Sequence, residues 1–563
     1  AGEANTSGEY NTFVGHEAGK NLTTGYTTVA IGTRALGLGI TTGYDNIGVG
    51  VYSGYNVTSG IKNTFISSYA GLNLTTGQSN FFAGYNAGRN ATTANYGIAI
   101  GSQAIGTGVM TGTDNTAIGR QAGNDLTSGT YNNFIGYQAG YNLTTGDGHN
   151  LIGYKAGSNA TTANNTVAIG NAAIGSGVLT GDDNVAIGRL AGNDLTSGAH
   201  NFIGGYAAGY NATTASNNVA IGREAIGLGI LTGDANVAIG YGAGYDLTSG
   251  ATNVAVGYRA GQNVTTGSTN VFAGGDTGLN ATTASHTVAI GNAAIGLGIL
   301  TGTDNTAIGR QAGNDLTSGT YNNFMGYQAG YNATTATNTV AIGKSAIGLG
   351  ILTGANNTAI GYAAGYDLTS GATNVFMGYS AGANATTASN NVAIGNGPIS
   401  LGVLTGSDNI VIGNLAGYDL TSGAHNVFQG YRAGFNVTTA ADNIAIGRNA
   451  IGLGVTTGIN NTAIGQEAGE DLTSGISNVL TGLNAGRNIT TGSYNVISGP
   501  NAGSFITTAS NNVAIGSSAI GTGVTTGGNN VAVGALAGED LTSGANNFFG
   551  GYGAGKNATT ASY

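Results

Sequence analysis

Cysteine and tryptophan are absent from the 563 residues, and proline occurs only at Pro398 and Pro500. Without cysteine no disulfide staples the fold, and thiol usage gives no hint of compartment. With so little proline few backbone donors are missing, so hydrogen-bond ladders can run almost unbroken. Charge is also scarce: 7% of residues are charged, Lys and Arg are scattered singly, and the net charge is −10. That pattern excludes a basic nucleic-acid surface and lacks the high-charge signature of disorder. No apolar run approaches the roughly 20 residues that span a bilayer, so membrane insertion is not expected. No secretory leader is visible, and the sequence starts at Ala1 rather than Met, as after leader removal or in an excerpt.

What the chain has in excess is glycine, 106 residues. The glycines do not fall at every third position, which excludes collagen. They punctuate a repeat. Asn115–Tyr131, NTAIGRQAGNDLTSGTY, is followed by NNFIGYQAGYNLTTGDG, and the same grammar runs throughout. Each unit has Asn, an apolar triplet, an anchor Gly, two variable residues, Ala-Gly, a polar pair, an apolar residue, two hydroxyls, then Gly or Ala. The anchors begin Gly15, Gly32, Gly50, Ser67, Gly84, Gly101, Gly119, Gly136 and end Gly499, Gly516, Gly534, Gly550. There are 32, with a mean spacing of about 17.3 residues, which suits one coil of a solenoid rather than a helical repeat pair.

Three coil types recur: NTAIGRQAGNDLTSG at Asn115, the aromatic NVFMGYSAGANATTA at Asn374, and the longer TVAIGNAAIGSGVLTG at Thr166. Asn332, Asn384, Asn436 and Asn488 mark a cycle of 52 residues by difference of position, and Thr111–Phe134 recurs letter for letter as Thr301–Phe324. We therefore read 1–563 as one continuous all-β domain, a parallel β-solenoid of about 32 coils of 17–18 residues. Val, Ile, Thr and Phe favour a strand at each apolar triplet, and Leu126-Thr127-Ser128 is expected to supply a second. Gly and Asn are expected to hold the positive φ of the corners. At about 4.8 Å per coil the rod would be on the order of 150 Å long.

Side-chain direction follows from alternation along the strand. The residue two before each anchor is apolar, as at Phe13, Ala30, Phe65 and Ala117, with Gly48 the exception. The residue just before the anchor faces the other way. It too is usually apolar, Ile in most coils, with Gln429, Thr481 and Ser498 as the exceptions. A strand apolar on both faces is expected to be buried on both. One face is the core; the other needs a cover, and a second copy packing on Ile118, Ile187, Ile239, Ile308 and Ile360 is the expected one.

The NTAIGxxAG…LTTG unit resembles the head repeats of trimeric autotransporter adhesins, and more closely the NTAIG-type arrays of phage tail fibres and bacterial surface fibres. The likeness covers essentially the whole chain, although the coils here are longer than the adhesin head repeat. It implies a parallel β-roll, often trimeric, acting as stalk or adhesive head at a cell surface or on a virion.

Several patterns invite a more specific reading. Starting asparagines such as Asn115, Asn236, Asn305 and Asn409 are expected to form a ladder that satisfies corner backbone groups. The hydroxyls before the corner glycines, Thr24, Ser128, Thr145 and Ser249, are expected to do the same. The alternative is an ice-binding array, against which Leu179, Leu231 and Leu300 interrupt the neighbouring threonine column. Asn-x-Thr, the N-glycosylation pattern, occurs at Asn142, Asn159, Asn211, Asn263, Asn280, Asn332, Asn384, Asn436, Asn488 and Asn557. The bland reading of these sites is a polar corner. Asp114-Asn115 and Asp304-Asn305 offer too few oxygens for calcium. His16, His149, His200, His286 and His425 lie in different coils with no recurring nucleophile, so neither enzyme activity nor a cofactor is expected. Tyr137, Tyr154, Tyr258, Tyr327, Tyr379 and Tyr431, after anchor glycines, are candidates for glycan binding or self-association.

The expected role is a structural subunit of an extracellular or cell-surface fibre that associates with itself through stacked coils. The alternative is a trimeric adhesin or phage tail-fibre shaft that binds a cell-surface receptor; an ice-binding solenoid is the distant third. Residues 1–8 match the second half of a coil and Ala554–Tyr563 finish one, so end-to-end stacking of copies is a further expectation.

Overall fold

The strand triplets form where the spacing puts them. In the computed structural model, which describes residues 1–39 and 41–562, every regular element is a three-residue strand and no helix occurs among the described residues. The chain is an all-β, parallel β-solenoid of about 32 coils. It divides into two compact units, Ala1–Ala284 and Ser285–Tyr563. The first carries β1 (Thr12–Val14) to β16 (Val271–Ala273), and the second β17 (Val288–Ile290) to β32 (Phe548–Gly550). The last strand ends one residue later than its expected anchor allows, so the closing glycine of that coil is Gly551 rather than Gly550.

Pairing is parallel and like with like. Between β7 (Thr116–Ile118) and β8 (Asn133–Ile135), Ala117 faces Phe134 and Ile118 faces Ile135. The expected second strand does not form. Leu126 N–H turns back to Gly123 O at 3.2 Å, which leaves Thr127 N–H to Thr144 O, 2.9 Å, as the rung there. Only isolated bridges such as Leu22–Thr41 and Ala385–Leu404 appear on that side.

The anchor glycines are required by both conformation and space. Gly119 sits at φ +136°, and a Cβ there would lie 2.4 Å from Gly136 O of the next coil. Ser67 is the non-glycine in this column, at φ 98°. Positive φ is not confined to Gly and Asn elsewhere, however: Gln121, Tyr131 and even Ile105 lie in the left-handed region, at 60°, 58° and 47°. A β-branched residue there costs about 1–2 kcal/mol.

The core explains that strain and the three coil types. Phe134 is fully buried, and its ring occupies the space beside Gly123, where a Cβ would come within 2.6 Å of Phe134 Cδ2. Aromatic coils therefore require glycine in the facing turns. Where the strand carries only alanine, as at Ala99, the long coil turns the buried Ile105 inward instead. Phenylalanine with glycine, alanine with isoleucine and alanine with glycine alternate along the core, in keeping with the near-constant packing density of protein interiors.

The asparagine ladder forms as expected. Asn478 is fully buried; its backbone N–H donates to Asn461 Oδ1 (3.0 Å) and its Nδ2 to Gly492 O (2.9 Å). Its Oδ1 accepts from Asn495 N–H at 3.0 Å. The hydroxyl expectation shifts by one residue. Thr127 Oγ1 donates to Thr144 O at 2.9 Å, whereas Ser128, Thr24, Thr145 and Ser249 point to solvent.

Candidate functional site: the outer face of the strand sheet

In each strand the middle residue enters the core and the first and third point outward. The expectation that both faces are covered is met on one side only within the single chain. Ile118, Ile187 and Ile239 are exposed, at 37%, 43% and 36%, while Ile308 and Ile360 are half-buried by their neighbours. Neither outward strand column carries a charged residue in any of the strands. In the first unit the column from Val14 to Ala273 holds only apolar residues and glycine; Gln429, Thr481 and Ser498 all fall in the second. The face is thus a charge-free stripe two residues wide along each unit, its third-position column mostly aliphatic and its first-position column mixing Val, Ile and Phe with Thr and Asn.

Beside it, after the anchors, runs the tyrosine column. Tyr154, Tyr258, Tyr379 and Tyr431 are exposed, and Tyr137 and Tyr327 half-buried. Their ring faces are already occupied. Tyr137 stacks on Tyr154 (5.3 Å), Tyr241 on Tyr258 (5.4 Å) and Tyr362 on Tyr379 (5.1 Å). Cations fill further positions: Arg310 lies 4.9 Å from the Tyr327 centroid, and Lys344 bridges Tyr327 and Tyr362. Such contacts contribute about 0.5–1 kcal/mol each at exposed sites and hold coils in register. Each of the six rings thus has at least one partner from its own chain, and Tyr137, Tyr154, Tyr258 and Tyr327 have two.

The Asn-x-Thr asparagines are used within the coil stack. Nδ2, the atom that would carry a sugar, donates from Asn142 to Asn159 Oδ1 (2.8 Å) and from Asn263 to Asn280 Oδ1 (2.7 Å). Asn211, Asn332, Asn384 and Asn436 donate to the carbonyls of Leu228, Leu349, Leu401 and Leu453, and Asn159 to that of Ser176. Asn280 and Asn488 are half-buried, and Asn557 is exposed. Leu179, Leu231 and Leu300 point inward, so they do not break the outward hydroxyl column of Ser128, Thr145 and Thr180. That column is single file, with Asp125 or Val178 beside it, and makes a row rather than a lattice of hydroxyls.

The histidines do not converge. His200, His286 and His425 each face a surface Asp at 3.4–3.9 Å, and His149 is buried in the asparagine ladder. His149 Nδ1 accepts from Thr166 N–H and Nε2 donates to Ala163 O, which fixes the neutral ring. Burial pushes its pKa down, against the weaker pull of Asp147 and Asp182. Asp114 and Asp304 gather no other acidic groups; among the described residues no set of three metal-ligating side chains comes together. Among those residues, too, no helix is long and apolar enough to cross a membrane. No protein-family model, curated protein or solved structure matches the chain.

Proposed function

We propose that the chain is a non-enzymatic structural subunit of an extracellular or cell-surface fibre, in which copies associate through their solenoid coils. The uncharged, mostly aliphatic column on the outer sheet face carries this reading. Monomeric proteins rarely leave contiguous apolar patches larger than a few hundred Å² in water, and here the third-position column carries no polar side chain from Val14 to Ala273 in the first unit. A second copy presents the same uncharged column and can cover it. The resemblance of the repeats to fibre arrays supports the location outside the cell.

The test is electron microscopy and sedimentation of the purified chain across a concentration series, beside a variant carrying Ile118→Asp, Ile187→Asp and Ile239→Asp. These side chains point outward, so circular dichroism should be unchanged while association is lost. A wild-type chain that stays monomeric throughout, or a variant that assembles as well as wild type, refutes the proposal. A discrete trimer in place of filaments selects the adhesin or tail-fibre shaft instead.

A further inference from the structure

The most exposed aliphatic side chains lie on the side of the coil away from the strands. Leu349/Ile351, Leu401/Val403 and Leu453/Val455 are each 51–62% exposed, all in the second unit. Their origin is the extra residue of the long coil. In ordinary coils this column holds Asp or Asn, such as Asp419 and Asn436, followed directly by a buried residue. In long coils Leu401 takes that place, and the added residue throws Val403 outward before Leu404 turns into the core. Asn384 Nδ2 and Leu401 N–H hold the pair in position through Leu401 O (3.1 Å) and Tyr418 O (3.1 Å).

The pairs recur at intervals of 52 residues by difference of position. Three coils separate them, roughly 14 Å at solenoid spacing. Between Leu401/Val403 and Leu453/Val455 the two intervening coils present Tyr418 and Phe435, half-buried and stacked at 5.1 Å. Beside them Asp419 Oδ1 is buried without a hydrogen-bond partner. The side is therefore a row of aliphatic knobs separated by hollows, the one between Leu401/Val403 and Leu453/Val455 floored by two rings.

We propose that this row is a second self-association surface, on which another copy of the chain lies with its knobs in the hollows, so that the three-coil cycle sets the axial register. This rests on the reading of the chain as a fibre subunit, but uses a different face. A partner lacking the 52-residue cycle meets one knob at most, whereas a second copy meets all of them. Each aliphatic side chain offers roughly 100 Å² on the hydrophobic area scale. Six of them with the flanking rings approach the ~800 Å² per partner of a stable contact.

The test uses the full chain with Leu349, Ile351, Leu401, Val403, Leu453 and Val455 all changed to Thr. The expected result is at least tenfold weaker association of the Thr variant by sedimentation, with unchanged circular dichroism. Undiminished association of the Thr variant, or wild type that remains monomeric, overturns the proposal. Sheet-face variants separate the two readings. If Ile290→Asp, Ile308→Asp and Ile360→Asp abolish association while the Thr variant behaves as wild type, the fibre reading stands and the knob row is rejected. If only the Thr variant dissociates, the knob row stands and the sheet contact falls.

Discussion

Replacing Asn478 by Ala should cost more than its small change in volume suggests. The side chain satisfies two buried backbone groups that have no other partner: Gly492 O, reached by Nδ2 at 2.9 Å, and Asn495 N–H, received by Oδ1 at 3.0 Å. Its Nδ2 also donates to Asn461 Oδ1, and its Oδ1 accepts from Asn495 Nδ2. Asn461 Oδ1 keeps the Asn478 backbone N–H after the change. An unsatisfied buried backbone group costs about 1–3 kcal/mol, so the two orphans together cost roughly 2–6 kcal/mol. A water in the vacated space would bring the loss to the lower end of that range. Long repeat arrays depart from two-state unfolding, so the assay is native-state hydrogen exchange. The Asn495 amide should lose protection by about 1.5 to 4 powers of ten, at about 1.4 kcal/mol for each tenfold change. Ser474→Ala, whose exposed hydroxyl makes no ladder bond, should change protection by less than about 0.5 kcal/mol. Equal protection of Asn495 in the Asn478→Ala variant would refute the view that the ladder, rather than strand pairing alone, secures the corner.

Gly119→Ala forces a Cβ against Gly136 O and a side chain to φ +136°; we expect destabilisation of at least about 3 kcal/mol or loss of soluble protein, measured by denaturant unfolding. Gly204→Ala, with nothing within 4 Å of the added carbon, should stay within about 0.5 kcal/mol in the same assay. Val264→Ile should stabilise by up to about 0.8 kcal/mol, because a void of about 10 Å³ adjoins Val264, Ala255 and Phe272 and Ile489 occupies the same column elsewhere. For His149 the folded pKa is lowered by burial, so its contribution is fully present above the ordinary histidine value near 6.5 and is lost as pH falls below it, levelling off once the folded ring also titrates. His149→Asn, which restores the ladder residue, should remove that pH dependence from the exchange protection of the Thr166 amide.

Coil number, anchor glycines, core direction and the asparagine ladder were legible in the sequence because each depends on a column repeating at fixed spacing. Three features were not. The period cannot say whether Leu126 N–H pairs with the next coil or turns back to Gly123 O, and the turn prevails. Nor can it tell which of Thr127 and Ser128 faces its neighbour. The left-handed Ile105 was hidden because propensity argues against it; only volume matching with Phe134 and Ala99 makes it intelligible. At the candidate site, outward Ile118 and Ile187 were placed correctly by alternation. The closed faces of Tyr137 and Tyr154 depend on stacking between coils, which a single-coil reading does not contain. The aliphatic knobs did leave a signal, the one-residue excess of the long coil.

The alternation of ring, isoleucine and empty turn along the core also constrains how such a chain can grow. Copying one coil at random sets two phenylalanines or two isoleucines side by side, whereas copying a full cycle joins surfaces that already match. Two exceptions are tolerated: Phe65 and Phe82 stand in adjacent coils with their rings tilted, 6.0 Å apart, and the coil at His149, which follows Phe134 directly, carries Leu151 where another ring would stand. Slippage during replication that adds whole cycles is structurally silent, whereas slippage that adds a single coil requires tilted rings or a smaller side chain at the seam.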